Sequence, residues 1–157
     1  VRVAFVGAPQ VEQDTAARPP ALLAAATPQP AGPAAGRAAF IDKDTDGHFW
    51  THADVSGTQV RFLVDTGASI VALTYFDAQR LGLKPEELNF DAEIRTAGGS
   101  VLGAYVTLAS IRIGEVEVEN VDAVILRTEL EQSLLGMSFL GELYAYEVRR
   151  GQMIIRQ

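Results

Sequence analysis

Short apolar segments separated by turn-forming residues recur from residue 38 to the end of the chain. The segments 48–55 and 58–64 flank Ser56 and Gly57, an arrangement that predicts a β-hairpin. Many short strands with little helical periodicity indicate an all-β fold that closes into a barrel. Further extended segments are predicted over residues 70–73, 90–96, 101–113, 116–118, 121–126, 134–135, 144–148 and 153–155.

Two short helices interrupt the predicted strands. Thr74 precedes the first helix, and Asp77 three residues later completes a loose N-terminal cap. Gly82 marks the end of this helix, because glycine readily takes the left-handed conformation that terminates helices. The second helix is predicted over residues 137–143, directly after Gly136.

Residues 1–37 have a different composition, rich in alanine and proline. Prolines at positions 19, 20, 28, 30 and 33 prevent a long helix, and no periodic apolar face is left to bury. We therefore expect a disordered tail or linker over residues 1–37 and one folded domain over residues 38–157. The tail either has no function of its own or is a spacer that holds the domain away from a membrane.

Charge and composition exclude several classes of function. The net charge is -7 and the 13 basic residues are scattered, so nucleic acid is not expected as a partner. The chain has no cysteine, which excludes a disulfide framework and a thiolate metal site. No apolar run approaches the roughly 18 residues of a membrane span, so no membrane contact is expected from this chain.

The most informative stretch is residues 60–73, in which an apolar strand leads into Asp65, a polar turn and a second apolar strand. Burying a carboxylate between two apolar strands costs several kcal/mol, roughly, unless a partner offsets it. An ordinary β-turn is the simpler interpretation, because Asp and Gly are common in turns. We favour the interpretation that Asp65 is half of a two-carboxylate catalytic site.

Three elements in chain order resemble one known family. Asp65-Thr66-Gly67, followed by Ala68 and Ser69, is similar to the active-site signature of aspartic proteases. Leu134-Leu135-Gly136 resembles the element that crosses behind the catalytic loop in these enzymes. Between them, Ala97-Gly98-Gly99-Ser100 is an ordinary hairpin turn by composition and lies where the family has its flap. The chain thus resembles the bacterial single-domain retropepsin-like aspartic proteases of the retroviral type.

This resemblance implies a closed acid-protease barrel and a role for each matched residue. Asp65 would act alternately as general base and general acid, and the Thr66 hydroxyl would bond across a dimer. Gly67 would allow a tight turn, and Ser69 would bond to the outer carboxylate oxygen. Mobility of the flap would come from Gly98 and Gly99. Close crossing of strands would come from Gly136, next to Leu134 and Leu135.

The chemistry of amide hydrolysis explains why such a site needs two carboxylates. Water needs a base and the carbonyl an acid, and two carboxylates that share one proton supply both. The chain has a single Asp-Thr-Gly, and its other acidic residues lie in polar or charged contexts. We therefore predict an aspartic endopeptidase that acts on polypeptides as a homodimer, without metal or organic cofactor. The alternative is a catalytically silent dimerisation or peptide-binding module of the same fold.

Location and dimer contacts are expected from the resemblance alone. Family members usually carry an N-terminal membrane anchor, so we expect a periplasmic or cell-envelope protein anchored through a segment absent from this chain. Retroviral relatives interleave their chain ends when they dimerise. Residues 153–155 are accordingly the first candidate for the dimer interface.

A half-motif for calcium lies at residues 42–47, with acidic residues at positions 1, 3 and 5 and Gly47 at position 6. The match fails at position 12, which is Ala53, and no long helix flanks it. An acidic turn is the favoured interpretation, and a calcium-stabilised adhesion or sensor domain is the alternative. His48 and His52 would lie about 13 Å apart along a strand, too far to share a metal ion.

Overall fold

The computed structural model of the chain describes residues 36–128 and 130–157. The predicted tail, residues 1–37, lies outside the described residues except for its last two positions, and the domain boundary stays a prediction. Over the ranges that are described, no helix has the length and apolar character needed to cross a lipid bilayer.

The described residues are mostly β-strand, as the sequence predicts, with two short α-helices and a 3₁₀ helix at Pro85–Glu87. The helices are α1 (Tyr75–Arg80) and α2 (Met137–Leu140). The ten strands are β1 (Ala38–Asp42), β2 (Trp50–Val55), β3 (Thr58–Val64), β4 (Val71–Thr74), β5 (Ala92–Thr96), β6 (Gly99–Ile113), β7 (Val116–Leu126), β8 (Ser133–Leu135), β9 (Ala145–Arg149) and β10 (Gln152–Arg156).

Six of these strands close into a barrel. They follow the order β2-β3-β8-β4-β7-β6, and pairing of β2 with β6 through Asp54↔Arg112 and Val55↔Ile111 completes the circle. β5 extends the sheet beyond β6. Buried and exposed side chains alternate along β3: Val60 and Phe62 are buried, whereas Gln59 and Arg61 are exposed. One face of the strand therefore lines the apolar interior of the barrel. The predicted closed all-β barrel is therefore confirmed.

Two apolar clusters form the interior. The larger fills the barrel and includes Phe62, Ile111 and Phe139, all fully buried. The smaller is built from six buried residues of the 65–70 segment, β4, β5, β7 and β8, namely Ala68, Ala72, Ile94, Val124, Leu126 and Leu134. This second cluster lies next to Asp65 and matters for the candidate site.

β1, β10 and β9 form a separate three-stranded antiparallel sheet, with β10 in the middle. Sequence analysis missed β1, because alanine has low strand propensity and the preceding residues are rich in alanine and proline. Its strand conformation comes from pairing along its full length with β10, from Ala38↔Arg156 to Asp42↔Gln152. A contact with a distant segment overrides the local preference here.

Local predictions hold with small corrections. The Thr74 cap is confirmed, since its Oγ1 accepts a hydrogen bond from the Asp77 amide at 3.0 Å. α2 ends at Leu140, three residues before the predicted end.

The two strands predicted over residues 116–118 and 121–126 are one strand, β7, which continues through Asn120 in a left-handed conformation (φ 56°). The pairing with β6 omits Ala109 and Asn120, one residue on each strand, and resumes in the same register.

The half-motif for calcium forms the turn between β1 and β2. Asp44 Oδ1 accepts the Thr45 amide, and Asp46 Oδ1 accepts the His48 amide at 2.9 Å. The indole N–H of Trp50 donates to Asp46 Oδ2, also at 2.9 Å. Among the described residues, no group of three or more His, Asp or Glu side chains is placed to hold a metal ion. These hydrogen bonds form an acidic turn at residues 44–50.

The Asp46–Trp50 contact predicts a pH-dependent signal. The hydrogen bond from the Trp50 indole, followed by that from the His48 amide, lowers the pKa of Asp46 from its usual 3.8. A lowered pKa stabilises the folded state above pH 3.8, and this contribution is lost as the pH falls through the folded value. We expect fluorescence of Trp50, the single tryptophan, to change with a midpoint below pH 3.8.

Asp46→Asn should remove this transition and Asp44→Asn should keep it. Far-UV circular dichroism recorded in parallel separates the local change from acid unfolding. A transition that survives in Asp46→Asn contradicts the assignment.

Candidate active site

Asp65 directly follows β3, and its backbone amide is hydrogen-bonded to β8. Its amide donates to the Leu135 carbonyl at 3.1 Å, and the preceding Val64 amide donates to Phe49 O at 2.9 Å. β8 lies parallel to β3, with Leu63 opposite Leu134 and Val64 opposite Leu135. The start of the loop is therefore fixed by two strands that come from distant parts of the chain.

The loop turns back tightly on the Asp65 side chain. The Gly67 amide donates to Asp65 Oδ1 at 2.9 Å, and the Ala68 amide donates to the Asp65 carbonyl at 3.0 Å. Asp65 is half-buried as a residue, and its Oδ2 is shielded from solvent. A Cβ on Gly67 would lie 3.2 Å from Asp65 Oδ1, so a larger residue would press on the carboxylate. Thr66 and Ser69 lie half-buried in the same loop, and their hydroxyl roles stay predictions.

The segment after β8 passes close behind this loop at Gly136. A Cβ at that position would lie 2.5 Å from the Ile70 carbonyl oxygen and 2.8 Å from that of Ala68. The φ of Gly136 is -103°, a value open to any residue, so glycine is needed here for space. The next amide, of Met137, donates to Ala68 O at 2.8 Å. The predicted supporting residues thus touch the loop directly.

Ser138 is a second support that sequence analysis missed. Its Oγ accepts a hydrogen bond from the Val71 amide at 2.9 Å and donates to the Asp122 carbonyl at 2.7 Å. One hydroxyl therefore ties the start of β4 to α2 and β7. Val71 and Ser138 are 67 positions apart, so no local sequence pattern signals this contact.

The start of β8 is held by another network that the sequence did not reveal. Ser133 is fully buried, and its Oγ donates to Asp77 Oδ2 at 2.6 Å while accepting from the Thr74 amide at 3.1 Å. Asp77 also pairs with Arg80 at 3.1 Å. A buried hydroxyl is costly unless it is hydrogen-bonded, so this network both satisfies Ser133 and fixes β8 against α1.

β5 and β6 form a hairpin at the position of the predicted flap, whose role stays a prediction. The turn residues are Ala97 and Gly98, whereas Gly99 and Ser100 already belong to β6, and Thr96 pairs with Gly99 across the turn. Thr96 Oγ1 donates to Gly99 O at 2.7 Å and accepts from the Gly98 amide at 3.2 Å. Gly99 has a φ of 125°, which side chains rarely allow, so glycine is required at this position.

The smaller apolar cluster joins this hairpin to the Asp65 loop. Ile94 of β5 is buried in it together with Ala68 of the loop and Leu134 of β8. Val101 of β6 and Ile70 of the loop pack against it and are partly buried. The structure therefore brings the three predicted elements (loop, flap and crossing segment) into one contiguous region.

The family described as gag-polyprotein putative aspartyl protease has a model that matches residues 51–142. An uncharacterised protein from the cobV 5′ region of a Sinorhizobium species is 44% identical over 117 residues, or 74% of this chain and 50% of that protein. An uncharacterised Rickettsia prowazekii protein is 36% identical over 116 residues, again 74% and 50%. The chain spans about half the length of these curated relatives.

Solved structures show the same likeness. A retropepsin-like aspartic protease from Rickettsia conorii superposes with a TM-score of 0.69 and 36% identity, covering 76% of this chain and 89% of that one. The EIAV protease, solved with an inhibitor, gives a TM-score of 0.55 at 21% identity, covering 68% of this chain and 97% of that one. At that identity, the second likeness concerns the fold alone.

The close passage at Gly136 predicts that adding one methyl group there lowers the free energy of unfolding strongly. Gly136→Ala places a Cβ 2.5 Å from a backbone oxygen, so the backbone around Ile70 has to move. Overpacking of this kind costs about 1–3 kcal/mol or more, and urea unfolding measures it. Gly36→Ala is the matched control, because nothing lies within 4 Å of a Cβ at Gly36. Equal stability of the two variants would contradict the packing described.

Proposed function

Because the chain belongs to the gag-polyprotein putative aspartyl protease family, we propose that it is an aspartic endopeptidase whose catalytic dyad combines Asp65 from two subunits. Its retropepsin-like fold, expected from the sequence, is confirmed by the match to the Rickettsia conorii protease. The observation that carries the proposal is the fixed Asp65 loop, hydrogen-bonded to β8 and joined to the β5–β6 hairpin by shared apolar packing. The predicted location in the cell envelope stays a prediction.

The proposed reaction uses the two carboxylates in complementary protonation states. The ionised carboxylate takes a proton from a water molecule placed between the two, and the water oxygen attacks the peptide carbonyl carbon. The protonated carboxyl group gives its proton to the carbonyl oxygen, so a neutral tetrahedral intermediate forms. Its collapse breaks the C–N bond: the leaving nitrogen takes a proton from one carboxyl group, and a hydroxyl of the intermediate returns a proton to the other carboxylate. The hydrogen bond from the Gly67 amide orients Asp65 Oδ1 for these proton transfers.

A second copy of the chain supplies the second carboxylate in this proposal. The sequence contains one Asp-Thr-Gly, and a two-fold symmetric dimer places the same residue of each subunit at the shared axis. Two carboxylates a few ångströms apart cannot both ionise, so they share one proton. The stepwise titration then belongs to the pair rather than to either residue.

The substrate we propose is a polypeptide in extended conformation. Such a chain can hydrogen-bond through its backbone and place alternate side chains in pockets. Near the Asp65 loop, five partly buried apolar residues pack on the smaller cluster, and part of their surface is exposed: Leu63, Ile70, Ala92, Val101 and Leu130. We therefore expect apolar substrate side chains next to the cleaved bond.

Replacing the proposed catalytic carboxylate tests the function. Asp65→Asn should lower cleavage of a peptide library by at least about 10²-fold, because general acid–base catalysis contributes about 10²–10⁴-fold. Asp91→Asn makes the same chemical change at an exposed carboxylate and should leave cleavage unchanged. Sedimentation should show the same dimer for both variants.

Two results would contradict the proposed protease. One is an Asp65→Asn variant that cleaves as fast as the wild type. The other is a wild-type protein that forms dimers but cleaves no library peptide at any pH from acidic to neutral. That second result favours the alternative, a catalytically silent module of the same fold.

A further inference from the structure

A cavity of about 400 Å³ lies beside the start of β8, and none of the residues that line it belongs to the Asp65 loop. Its volume falls within the roughly 300–1,000 Å³ that is usual for ligand sites. Residues of β2, β3, α1 and the segment between β7 and β8 form its walls, among them Trp50, Arg61, Tyr75, Asp77, Arg127 and Leu130. We call it the arginine cavity, after Arg61 and Arg127.

Both arginines of the cavity pack on aromatic rings. The guanidinium carbon of Arg61 lies 3.8 Å from the centre of the Trp50 ring, and that of Arg127 lies 4.4 Å from the centre of the Phe90 ring. Within the part of the chain that the structure describes, neither guanidinium group forms an ion pair. The Asp46 carboxylate accepts the indole N–H of Trp50 instead. A guanidinium group that packs through its face keeps N–H groups for a carboxylate.

The acidic side chains that line the cavity do not cancel this charge. Asp77 accepts the Ser133 hydroxyl at 2.6 Å and pairs with Arg80 at 3.1 Å. Glu131 is exposed and forms no ion pair with the described residues. Two guanidinium groups and one uncompensated carboxylate leave the cavity positive, on a chain whose net charge is -7.

We propose that the arginine cavity binds an acidic side chain of the polypeptide substrate, about four residues from the cleaved bond. A carboxylate matches the paired N–H donors of a guanidinium group, and such charge-assisted hydrogen bonds are stronger than neutral ones. Trp50 and Leu130 supply apolar walls for the methylene groups of glutamate. The proposal rests on the proposed function and deepens it by naming a residue type that the substrate carries.

The cavity and the Asp65 region share one surface of the barrel. Val60 and Phe62 of β3 point into the interior, so Arg61 and Leu63 project from the opposite face of the strand. Leu63 packs on the smaller apolar cluster, next to the Asp65 loop. Leu130 packs on the same cluster and also lines the cavity. A peptide bound at Asp65 can therefore continue along this surface into the cavity.

The distance along β3 gives the position of the acidic residue. Arg61 precedes Asp65 by four positions in the sequence. At roughly 3.3 Å per residue, their Cα atoms are about 13 Å apart. An extended substrate that leaves Asp65 in the direction of β3 covers the same distance in about four residues. A two-fold dimer has one such cavity for each end of the substrate.

Peptide binding to an inactive protein tests the cavity without relying on cleavage. The Asp65→Asn variant is titrated at neutral pH with two peptides that differ only in Glu or Gln at the fourth residue before the bond between two central apolar residues. Trp50, the single tryptophan, lines the cavity, so its fluorescence reports occupancy. We expect the Glu peptide to bind about tenfold more tightly than the Gln peptide, because it adds a charge-assisted hydrogen bond.

Substitutions in the cavity should change this preference in opposite directions. Arg61→Gln and Arg127→Gln, each added to Asp65→Asn, should lower the preference for Glu and leave binding of the Gln peptide unchanged, which also shows that the variant is folded. Arg112→Gln is the control, because Arg112 is an exposed arginine outside the cavity. Glu131→Gln should strengthen binding of the Glu peptide by about two- to threefold, because it removes a like charge. A purely structural role of the arginines would not produce this pattern.

Cleavage by the wild type should show the same preference as a difference in KM. The cavity binds a residue distant from the reacting bond, so it stabilises substrate and transition state equally and leaves kcat unchanged. Moving the Glu to the residue next to the cleaved bond should remove its advantage.

The outcomes separate the cavity from the enzyme activity. No preference for Glu in binding, or a preference that Arg61→Gln leaves undiminished, overturns the cavity as a carboxylate site. An equal preference for Glu at every peptide position overturns the assigned distance from the cleaved bond. A preference at the fourth position in a protein whose wild type cleaves no peptide supports the cavity and contradicts the proposed protease. Cleavage without any preference for Glu overturns the cavity and leaves the protease standing.

Discussion

The architecture depends on the close passage of the β8–α2 segment behind the Asp65 loop. The Leu135 carbonyl accepts the Asp65 amide, and two residues later the Met137 amide donates to Ala68. Between them Gly136 comes so near the Ile70 carbonyl that a Cβ would not fit. The Asp65 loop is thus hydrogen-bonded at both ends and in close contact with Gly136, so it has little conformational freedom. A catalytic carboxylate needs such restriction to keep a productive geometry.

This passage also sets the topology. β3 and β4 follow each other in the sequence, but β8 lies between them in the sheet, parallel to β3 and antiparallel to β4. Residues about 70 positions apart must therefore pair before the barrel can close, as Leu63 does with Leu134. Because β8 lies between β3 and β4, its Leu134 packs in one apolar cluster with Ala68 of the Asp65 loop and Ile94 of the β5–β6 hairpin. The pairing of β8 with β3 and β4 consequently both closes the barrel and assembles the candidate site.

Sequence reasoning predicted what local patterns encode. These patterns predicted the strand β3, the cap at Thr74 and the Asp65 loop with its downstream glycine, because each depends on neighbouring residues or on a recognisable motif. It missed β1, whose strand conformation comes from pairing with β10. It also missed the hydrogen bonds of Ser133 and Ser138, which join residues 56 and 67 positions apart. Contacts of that range are set by the closed barrel and leave no local signal.

The shared dyad is tested most directly by mixing subunits. Increasing amounts of Asp65→Asn protein are added to a fixed amount of wild type above its dimer dissociation constant, and cleavage is followed with substrate in large excess over both proteins. If each site takes one Asp65 from each chain, mixed dimers are inactive. By mass action, activity should then fall to roughly one tenth at tenfold excess of the variant. Activity that stays constant at every excess would show that one chain carries a complete site and would contradict this account.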